Sequence, residues 1–449
     1  MDPISHALEQ YKAQLSSARC IWVGYSGGLD SSVLLHALLA MQLPVPVKAL
    51  HINHQLSPNA QHWQTHCERV AALWQCSIVT CTVQVREQGK GLEAAARSAR
   101  YSAFDSVLSS EDILLTAHHA EDQAETLLLR MVRGAGLKGL AAIKRKGWLP
   151  NAANNKCLLR PLLDVPLIAF KRYAEANRLQ WIEDESNRDE RFNRNFLRHQ
   201  LLPLLAQRWP NASMKIGETA NLLAEADDLL EAYLQQDLAA CDPRHERLGV
   251  SLDLTQLGEF PWPKQKHILR YWLLAEGYPV PSRQQFVELE KLLNASADAN
   301  PEVCWGSGLS NPSERQGVSV RRYQQRLYLL SRVSIEQPSS CLDWNTSSSL
   351  RLGVFELSAA PSASRMGLPS GQYQVRFRQG GERCKPAGRA HSQSLKKLLQ
   401  AYNLEPWLRD SVPLIYSGDE LVAVGDLWIC AGWQKLGGLQ VRWRTVSSE

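Results

Sequence analysis

A glycine-containing loop stands between two apolar segments near the start of the chain. Residues 20–23 have the composition of a buried strand, and residues 33–39 have that of a packed helix. In the loop, residues 25–32, Gly27 and Gly28 let an anion approach the main chain. The loop amides and the positive end of the helix dipole would point at that anion. This order predicts a strand, a phosphate-binding turn and a helix, with a turn that only caps the helix as the alternative.

Segments with strand character alternate with segments of helical spacing over the first 132 residues. Strands are predicted at 20–23, 47–52, 77–85 and 113–116, and helices at 4–18, 33–39, 57–74, 91–108 and 119–132. This alternation predicts an α/β fold with a doubly wound parallel sheet that helices cover on both faces. In such sheets the ligand lies beyond the carboxyl ends of the strands. We therefore expect one crevice to be lined by the loop, by His51 and Asn53 after the second strand, and by His118 after the fourth.

Composition limits the class of protein to which the chain can belong. With 449 residues, of which 44% are hydrophobic and 21% charged, it has a globular composition and room for about three domains. The formal charge of +5 does not by itself establish a nucleic-acid partner. No Cys-x-x-Cys pair occurs among the ten cysteines, which argues against a zinc ribbon or a thioredoxin-type site. We find no secretory signal and no apolar run of about 18 residues, so a cytoplasmic protein without a membrane partner is expected.

Two carboxylates lie on the helix that follows the fourth predicted strand. Asp122 and Glu125 are three residues apart and share one face of the helix, with His118 one turn before Asp122. Carboxylates at this edge of the sheet suit Mg²⁺ or an ammonium group. Acidic residues are also common at solvated helix starts, and that interpretation stays open.

The glycine-containing loop resembles a known nucleotide-binding motif. Residues 26–31, Ser-Gly-Gly-Leu-Asp-Ser, are similar to the SGGxDS loop of the N-type ATP pyrophosphatases, or PP-loop enzymes, whose fold is adenine nucleotide alpha hydrolase-like. The resemblance implies cleavage of ATP between its α and β phosphates and a Mg²⁺ ion held by Asp30. The implied ATP-binding residues are Ser26, Gly27, Gly28, Leu29, Asp30, Ser31, Ser32, His51 and Asn53.

Longer segments narrow the resemblance to one family. Residues 116–126 are similar to the TAHHxxDQxET segment of the tRNA(Ile)-lysidine synthetases, and residues 93–101 are similar to their EAxARxxRY helix. Further matches in the expected order are residues 133–136, 160–163, 184–187, 194–198, 394–399 and 406–410. The sequence departs from the family pattern at Glu185, where a proline is common.

This family resemblance implies a ligase reaction in two steps. The enzymes adenylate O2 of cytidine 34 in an isoleucine tRNA with the anticodon CAU and release pyrophosphate. The lysine ε-amine then displaces AMP, and the lysidine formed changes the tRNA from methionine to isoleucine identity. The implied cofactors and partners are therefore ATP, Mg²⁺, lysine and this tRNA. No DNA partner is expected, and a homodimer is one oligomeric state that the sequence leaves open.

The same resemblance implies catalytic roles for five residues. Asp30, with the loop amides and Mg²⁺, would neutralise the departing pyrophosphate. Asp122 and Glu125 would receive the lysine ammonium and promote its deprotonation. His118 and Arg97 complete the set, with Arg97 meeting phosphate charge in the transition state. A structural histidine and a solvated surface arginine are the alternatives for these last two.

Three groups of basic residues are predicted to contact RNA. Arg133 and Lys138 belong to a basic run, residues 130–146, interpreted as a disordered loop that closes over RNA. Arg194 and Arg198 share a helix face and are predicted to contact phosphate. Residues 371–409 contain eight Lys or Arg against two Glu, a net charge of +6 that exceeds the +5 of the whole chain. Solvated surface charge is the alternative for each group. The RNA-binding residues predicted in the last segment are Arg376, Arg378, Arg383, Lys396 and Lys397.

A change of composition near residue 214 predicts the domain boundaries. Residues 1–213 are the predicted catalytic domain, and residues 214–336 a mainly helical middle domain that includes a small sheet within residues 304–330. The serine-rich segment 339–349 is the predicted linker. Residues 350–449 are a predicted small α+β domain, in which Trp407 is assigned to the core with base stacking as the alternative.

Two other classes of function fit parts of the sequence. A related PP-loop enzyme would thiolate a tRNA base, a chemistry that commonly uses paired cysteines or an iron–sulfur cluster; Cys67, Cys76 and Cys81 are nine and five residues apart. A non-catalytic RNA-binding protein would keep only the nucleotide fold, and the intact Asp30 argues against such decay.

Overall fold

The chain forms two compact units, Met1–Leu230 and Glu231–Glu449. A computed structural model describes residues 2–85, 91–150, 156–296, 301–306, 317–331, 341–361 and 366–446. Among the helices of these ranges, none combines the length and the hydropathy that a membrane span requires. The division into three domains, 1–213, 214–336 and 350–449, stays a prediction.

Strands and helices alternate in the first unit. The strands are β1 Ile21–Gly24, β2 Val47–Asn53, β3 Ser77–Thr82, β4 Ile113–Leu115, β5 Lys146–Trp148 and β6 Cys157–Leu159. The helices are α1 Pro3–Glu9, α2 Lys12–Ser16, α3 Leu29–Ala40, α4 Ala60–Leu73, α5 Leu92–Val107, α6 Ala120–Val132, α7 Leu137–Leu140, α8 Leu167–Ala176, α9 Asn193–Phe196 and α10 Leu202–Arg208. The helix predicted over residues 4–18 is therefore two short helices. Helix α11, Ala212–Ala240, begins in the first unit and ends in the second. A π-helical turn, Leu197–Leu201, lies between α9 and α10.

A six-stranded sheet in the order β3-β2-β1-β4-β6-β5 forms the centre of this unit. Strands β3, β2, β1, β4 and β6 are parallel, and β5 is an antiparallel edge strand. The α/β fold with a parallel sheet is confirmed. Ile21 of β1 pairs with Val47 on one side and Ile113 on the other, so the chain leaves β1, β2 and β4 at one edge of the sheet. Helix α3, which follows the loop at that edge, packs into the core of the unit, since its Val33, Leu34 and Leu35 are fully buried.

The prediction of a disordered loop over residues 130–146 is wrong. The segment contains the end of α6, helix α7 and the start of β5. The Arg130 guanidinium donates hydrogen bonds to the carbonyl oxygens of Gly139 and Ala142, at 2.9 and 2.7 Å. These bonds connect α6 to α7 and the residue pair after it. Arg130 of the basic run therefore stabilises the local backbone.

Antiparallel sheets and short helices make up the second unit. Its helices are α12 Leu254–Gly258, α13 Trp262–Ala275, α14 Arg283–Leu293 and α15 Leu395–Ala401. Its strands are β7 Arg244–His245, β8 Val250–Asp253, β9 Glu302–Trp305, β10 Val318–Tyr323, β11 Arg326–Ser331, β12 Leu342–Asn345, β13 Leu350–Leu352, β14 Phe355–Pro361, β15 Met366–Gly367, β16 Gln372–Arg376, β17 Arg383–Cys384, β18 Gln393–Ser394, β19 Leu414–Ser417, β20 Glu420–Val424, β21 Trp428–Ile429, β22 Lys435–Leu436 and β23 Leu439–Thr445. Two five-stranded sheets, β7-β8-β11-β10-β9 and β12-β16-β19-β20-β21, are the largest.

The serine-rich segment 339–349 is more than a linker. Strand β12 lies inside it and pairs with β16, and the Trp344 side chain is buried. Residues 339 and 340 of the predicted linker, like residues 307–316 of the predicted small sheet, lie outside the described residues. The apolar Leu342 and Trp344 alternate with polar neighbours, as in a half-buried strand. This pattern is short and lies among serines, which are typical of linkers.

Trp407 packs inside the second unit, as predicted. Its ring centroid lies 4.9 Å from that of Tyr328 on β11, in an edge-on arrangement. Arg409 donates a hydrogen bond of 3.1 Å to the hydroxyl of Tyr323 on β10. These contacts join the small middle sheet to the chain that follows α15.

Candidate active site

A cleft of about 730 Å³ lies at the carboxyl ends of β1, β2 and β4. This is the edge at which ligands bind in open parallel sheets. The residues predicted from the sequence that line it are Ser26, Asp30, Ser31, His51, Asn53, Arg97, His118, Asp122, Arg194 and Arg198. The other residues predicted for ATP or lysine do not line it; these are Gly27, Gly28, Leu29, Ser32 and Glu125.

Internal hydrogen bonds hold the loop after β1 in shape. Gly28 is the N-cap of α3, and the hydroxyl of Ser31 donates to its carbonyl oxygen at 3.1 Å. The same hydroxyl accepts a bond from the Ser26 amide at 3.2 Å. No side chain of the described residues caps α3, so its first-turn amides point toward the cleft as donors for an anion.

Gly27 is required by the packing of this loop. Its φ of +82° is in the left-handed region, and a Cβ there would come within 2.7 Å of Sγ of Cys67. Any larger residue would displace the loop from α4. The role of Gly27 is therefore to let the turn form, and the cleft surface itself is made by its neighbours.

Asp30 presents one oxygen that has no hydrogen-bond partner in the part of the chain that the structure describes. Oδ1 is buried and accepts no hydrogen bond from the described residues. Burial raises the pKa of this carboxyl above its usual range, and a bound cation would favour its ionised form. An unpaired carboxylate oxygen beside a phosphate-binding turn fits a Mg²⁺ ion, which prefers oxygen ligands.

His119, which is not among the site residues predicted from the sequence, joins Asp30 to the carboxylates of α6. Nε2 of His119 lies 3.8 Å from Oδ2 of Asp30 and 3.6 Å from Oδ2 of Asp122. Its Nδ1 lies 3.0 Å from Oε2 of Glu121. Burial by itself would lower the pKa of His119, but the surrounding carboxylates raise it to about 9. His119 is therefore an imidazolium at neutral pH.

The neighbouring His118 has the opposite character. It lines the cleft, and its Nδ1 lies 2.9 Å from the hydroxyl of Thr116. Burial lowers the pKa of His118 to about 3, so this ring is neutral at neutral pH. The sequence contained a signal for two roles, since adjacent residues in extended backbone point to opposite sides, but it did not say which histidine meets Asp30.

Arg198 forms hydrogen bonds with Asp122 and Glu125, the two carboxylates predicted to receive lysine. Its Nε and one terminal nitrogen donate to the two oxygens of Glu125 at 2.6 and 3.1 Å, and the same terminal nitrogen donates to Oδ1 of Asp122 at 3.2 Å. Arg194 lies 3.2 Å from Glu125 and donates to the Thr126 hydroxyl at 2.9 Å. The two arginines predicted to contact phosphate are thus paired inside the protein, and Arg198 lies on the π-helical turn after α9.

Asp122 and Glu125 differ in what they offer to a ligand. The Glu125 side chain is 0% exposed, and burial raises its pKa against the effect of Arg198. Asp122 lines the cleft; burial disfavours its charge, but His119 and the two arginines hold its pKa below the usual range. Asp122 is therefore the ionised carboxylate at the surface of the cleft, and Glu125 is the anchor for the arginines.

One net negative charge remains in this cluster when every carboxyl group in it is ionised. The carboxylates are Asp30, Glu121, Asp122 and Glu125, and the cations are His119, Arg194 and Arg198. Four negative groups against three positive groups suit one additional cation. This balance favours binding of a single ammonium group or metal charge beside Asp122 and Asp30.

The other predicted nucleotide and phosphate residues also lie at the cleft. Nδ1 of His51 lies 2.9 Å from the carbonyl oxygen of Tyr25, and burial lowers the pKa of this ring. Asn53 donates to Oε1 of Gln64 at 3.0 Å and is nearly fully buried. Arg97 is exposed and donates to the Tyr101 hydroxyl at 3.1 Å.

The cysteines considered for thiolation are poor nucleophiles here. Burial raises the pKa of Cys67 to about 12, and it also raises the pKa of Cys76 and of Cys81 above the usual range. A thiol that stays protonated does not attack readily. These residues behave as packing groups of the first unit.

The predicted RNA-binding residues differ in exposure. Arg133, Lys138, Lys396 and Lys397 are exposed. In the second unit, Arg378 pairs with Asp410 at 3.1 Å, and the guanidinium of Arg376 lies 4.5 Å from the Tyr416 ring. Arg383 donates to the carbonyl oxygen of Ser392 at 3.2 Å. The two lysines on α15 are therefore exposed charges of the basic segment.

Sequence models of known domains match most of the chain. Residues 2–205 match the PP-loop domain, which covers all of the cleft. Residues 252–328 match the TilS substrate binding domain, and residues 373–443 match the TilS substrate C-terminal domain.

Proteins of known family are similar over nearly the full length. The chain is 39% identical over 442 residues to the tRNA(Ile)-lysidine synthase of Coxiella burnetii, an alignment that covers 96% of this chain and 94% of that protein. It is 38% identical over 447 residues to the tRNA(Ile)-lysidine synthase of Serratia proteamaculans, which covers 97% of this chain and 98% of that protein. The parallel sheet, the PP-loop cleft and these matches show that the chain belongs to the tRNA(Ile)-lysidine synthase family.

Proposed function

We propose that the chain joins lysine to C2 of cytidine 34 in the CAU anticodon of tRNA(Ile). In the first step, O2 of the cytosine attacks the α-phosphorus of ATP, the bond to the β-phosphate breaks, and pyrophosphate leaves. In the second step, the neutral ε-amine of lysine attacks C2, the bond from C2 to the adenylated oxygen breaks, and AMP leaves. One observation carries the proposal: Asp30 of the PP-loop and Asp122 of α6 line one cleft, and both approach Nε2 of His119.

The loop after β1 serves the adenylation step. The first-turn amides of α3 are donors for the phosphates, and the Ser26–Ser31 hydrogen bonds keep them oriented. Preorganised donors of this kind stabilise the charge that develops on a leaving pyrophosphate. Arg97 lines the same cleft and adds a cation to it.

Asp30 is the residue that we assign to Mg²⁺. Its buried Oδ1 has no hydrogen-bond partner among the described residues, and burial of the carboxyl favours a bound cation. When bound, Mg²⁺ would supply positive charge at the phosphates. Oδ2 of the same side chain faces His119, which keeps the carboxylate oriented.

Asp122 is the residue that we assign to the lysine ammonium. It is ionised, lines the cleft and belongs to a cluster with one unbalanced negative charge. Glu125 acts through the arginines that it anchors and through the orientation of Arg198 toward Asp122. The ammonium must lose a proton before attack, and Asp122 would hold it at a surface of the cleft where carboxylates promote that loss.

The exposed basic residues are assigned to the tRNA backbone. Lys396 and Lys397 on α15, with Arg133 and Lys138 in the first unit, offer charge to phosphates without breaking an internal pair that the structure records. ATP, lysine and tRNA meet in the cytoplasm, so the proposal places the reaction there. A homodimer is compatible with the proposed reaction.

A nucleoside analysis tests the proposed function. The purified chain is incubated with a CAU-anticodon tRNA(Ile), ATP, Mg²⁺ and isotopically labelled lysine, and the tRNA is digested for mass analysis. We expect labelled lysidine in place of cytidine 34, together with AMP and pyrophosphate. A tRNA with uridine at position 34 serves as the matched control and should take up no lysine.

Three results would contradict the proposal. Release of ADP and phosphate would place the cleavage at the wrong anhydride. Incorporation of sulfur from a sulfur donor would support the thiolase alternative. A tightly bound tRNA with unmodified cytidine 34 would support the non-catalytic alternative.

A further inference from the structure

An exposed aromatic side chain lies at the cleft beside the carboxylate cluster. Phe192, the N-cap residue of α9, lines the cleft and is 39% exposed. Tyr25, Tyr101 and Phe104 also line the cleft, but they are almost fully buried and belong to core clusters. Trp63 of α4 lines the cleft too and is less exposed than Phe192. The Phe192 ring therefore presents apolar surface to the cleft that the first unit does not use for its own core.

The backbone around Phe192 is held in place from both sides. Its amide donates to the carbonyl oxygen of Asp189 at 3.2 Å, and its carbonyl oxygen accepts from Phe196 at 3.0 Å. Asn195 donates from its side chain to the same Asp189 oxygen at 2.9 Å. An aromatic ring on a fixed backbone loses little entropy when a ligand packs against it.

The charges next to Phe192 are compensated. Arg194 and Arg198, two and six residues further along the chain, are paired with Glu125 and Asp122. A phosphate would have to displace these carboxylates to reach the guanidinium groups. The surface that Phe192 offers is therefore better suited to the flat face of a base than to the sugar–phosphate backbone.

The reaction requires a base at this place. O2 must reach the α-phosphate held near Asp30, and C2 of the same ring must then meet an amine held at Asp122. A base in an anticodon loop is stacked on its neighbours and has to leave that stack to enter a cleft. Proteins that bind unpaired bases commonly replace the lost stacking with an aromatic side chain.

We propose that Phe192 stacks on the cytosine of the wobble nucleotide and holds it between the PP-loop and Asp122. This inference rests on the proposed function and adds to it the residue that receives the base. The ring selects for an unpaired base. It does not itself take part in proton or phosphoryl transfer.

Substitutions at Phe192 and Phe196 test the inference. Phe192→Ala is expected to raise the KM for a CAU anticodon stem-loop by about 5- to 150-fold, the range found when one stacked aromatic is removed. Phe192→Leu keeps apolar volume, protects the fold and should change KM in the same direction, whereas Phe192→Trp should stay near wild type. The KM values for ATP and lysine should not move. Phe196→Leu is the matched control, because Phe196 lies on the same short helix, is 50% exposed and does not line the cleft.

A fluorescent cytosine analogue gives a second readout that a merely structural role would not change. Pyrrolocytosine at position 34 of the stem-loop should show the same emission with wild type, Phe192→Trp and Phe196→Leu, and a different emission with Phe192→Leu. Equal KM and emission for Phe192→Leu and wild type would overturn the inference, and so would a Phe196→Leu effect as large as that of Phe192→Leu. If wild type forms no lysidine, the proposed function fails, while the emission still shows whether the base contacts Phe192.

Discussion

Nε2 of His119 lies 3.8 Å from Oδ2 of Asp30, although the two residues follow different strands of the sheet. The same nitrogen lies 3.6 Å from Asp122, so one imidazolium joins the loop assigned to ATP to the helix assigned to lysine. The positive charge of His119 favours the ionised form of both carboxylates. The two halves of the proposed reaction thus share an electrostatic element.

Loss of the His119 charge should make the stability of the first unit depend differently on pH. The pKa of His119 is raised from 6.5 to about 9, which corresponds to about 3 kcal/mol of stabilisation. Because the folded pKa is higher than the unfolded one, this contribution is complete below about pH 6.5 and is lost as pH rises through about 9. We expect the difference in unfolding free energy between wild type and His119→Gln to shrink between pH 6 and pH 10, measured by urea denaturation. A difference that is the same at every pH would show that folding does not shift the pKa of His119.

Asp30→Asn should remove ATP–pyrophosphate exchange in the presence of tRNA. The substitution keeps the size of the side chain but removes the charge assigned to Mg²⁺, and a loss of about 100-fold or more is expected from several kcal/mol of lost charge stabilisation. Binding of tRNA should change little. Asp343→Asn, on the exposed side of β12, is the control with the same chemical change. Exchange at the wild-type rate in Asp30→Asn would refute the assignment of Asp30.

Asp122→Asn should raise the KM for lysine without a comparable change in tRNA affinity. Asp122 is the ionised carboxylate at the surface of the cleft, and its removal leaves the cluster without unbalanced negative charge. We expect a rise of about 10-fold or more, as for loss of one charge-assisted hydrogen bond. Steady-state kinetics with varied lysine, beside tRNA binding by filter retention, checks this. A normal KM for lysine together with normal turnover would exclude Asp122 from the lysine site.

Glu125→Gln should act mainly on stability. Glu125 is fully buried and holds both Arg194 and Arg198, and breaking a buried pair by removing one partner costs about 3–5 kcal/mol. Urea denaturation should show this loss in the first unit. The control is Glu288→Gln, since Glu288 pairs with Lys291 on an exposed helix surface and should contribute less than about 1 kcal/mol. If the two variants were equally stable, Glu125 would not be the anchor described here.

Charge reversal at Lys396 and Lys397 should weaken the salt dependence of tRNA binding. Both side chains are exposed on α15, whose Leu395, Leu398 and Leu399 face the core, so the fold should survive. The slope of log affinity against log salt should fall by about one unit for each phosphate contact that is lost. A double variant of Lys12 and Lys215, two exposed lysines of the first unit, changes the net charge equally and is the control. An unaltered slope would identify Lys396 and Lys397 as solvated surface charge.

Local patterns were sufficient to predict the parallel sheet of the first unit and its cleft, but not every segment of that unit. The alternation of apolar runs with helical segments predicted the parallel sheet, and the edge rule brought His51, Asn53, His118 and Asp122 to one cleft with the loop, as the structure shows. The prediction of a disordered loop over residues 130–146 failed because the number of basic residues does not show that Arg130 forms hydrogen bonds with the carbonyl oxygens around α7. The prediction of a linker over residues 339–349 failed because the segment contains a short strand, β12, in a serine-rich sequence.

The sequence by itself determined the strand–loop–helix motif, the fold class and the family resemblance, because each depends on residues close together in the chain. Only the tertiary structure decided that His119, not His118, meets Asp30, and that Arg198 pairs with Glu125, 73 residues away. The physical reason is that burial and the charge of distant neighbours set both the partner and the protonation state of each group. Neither quantity exists until the chain has folded.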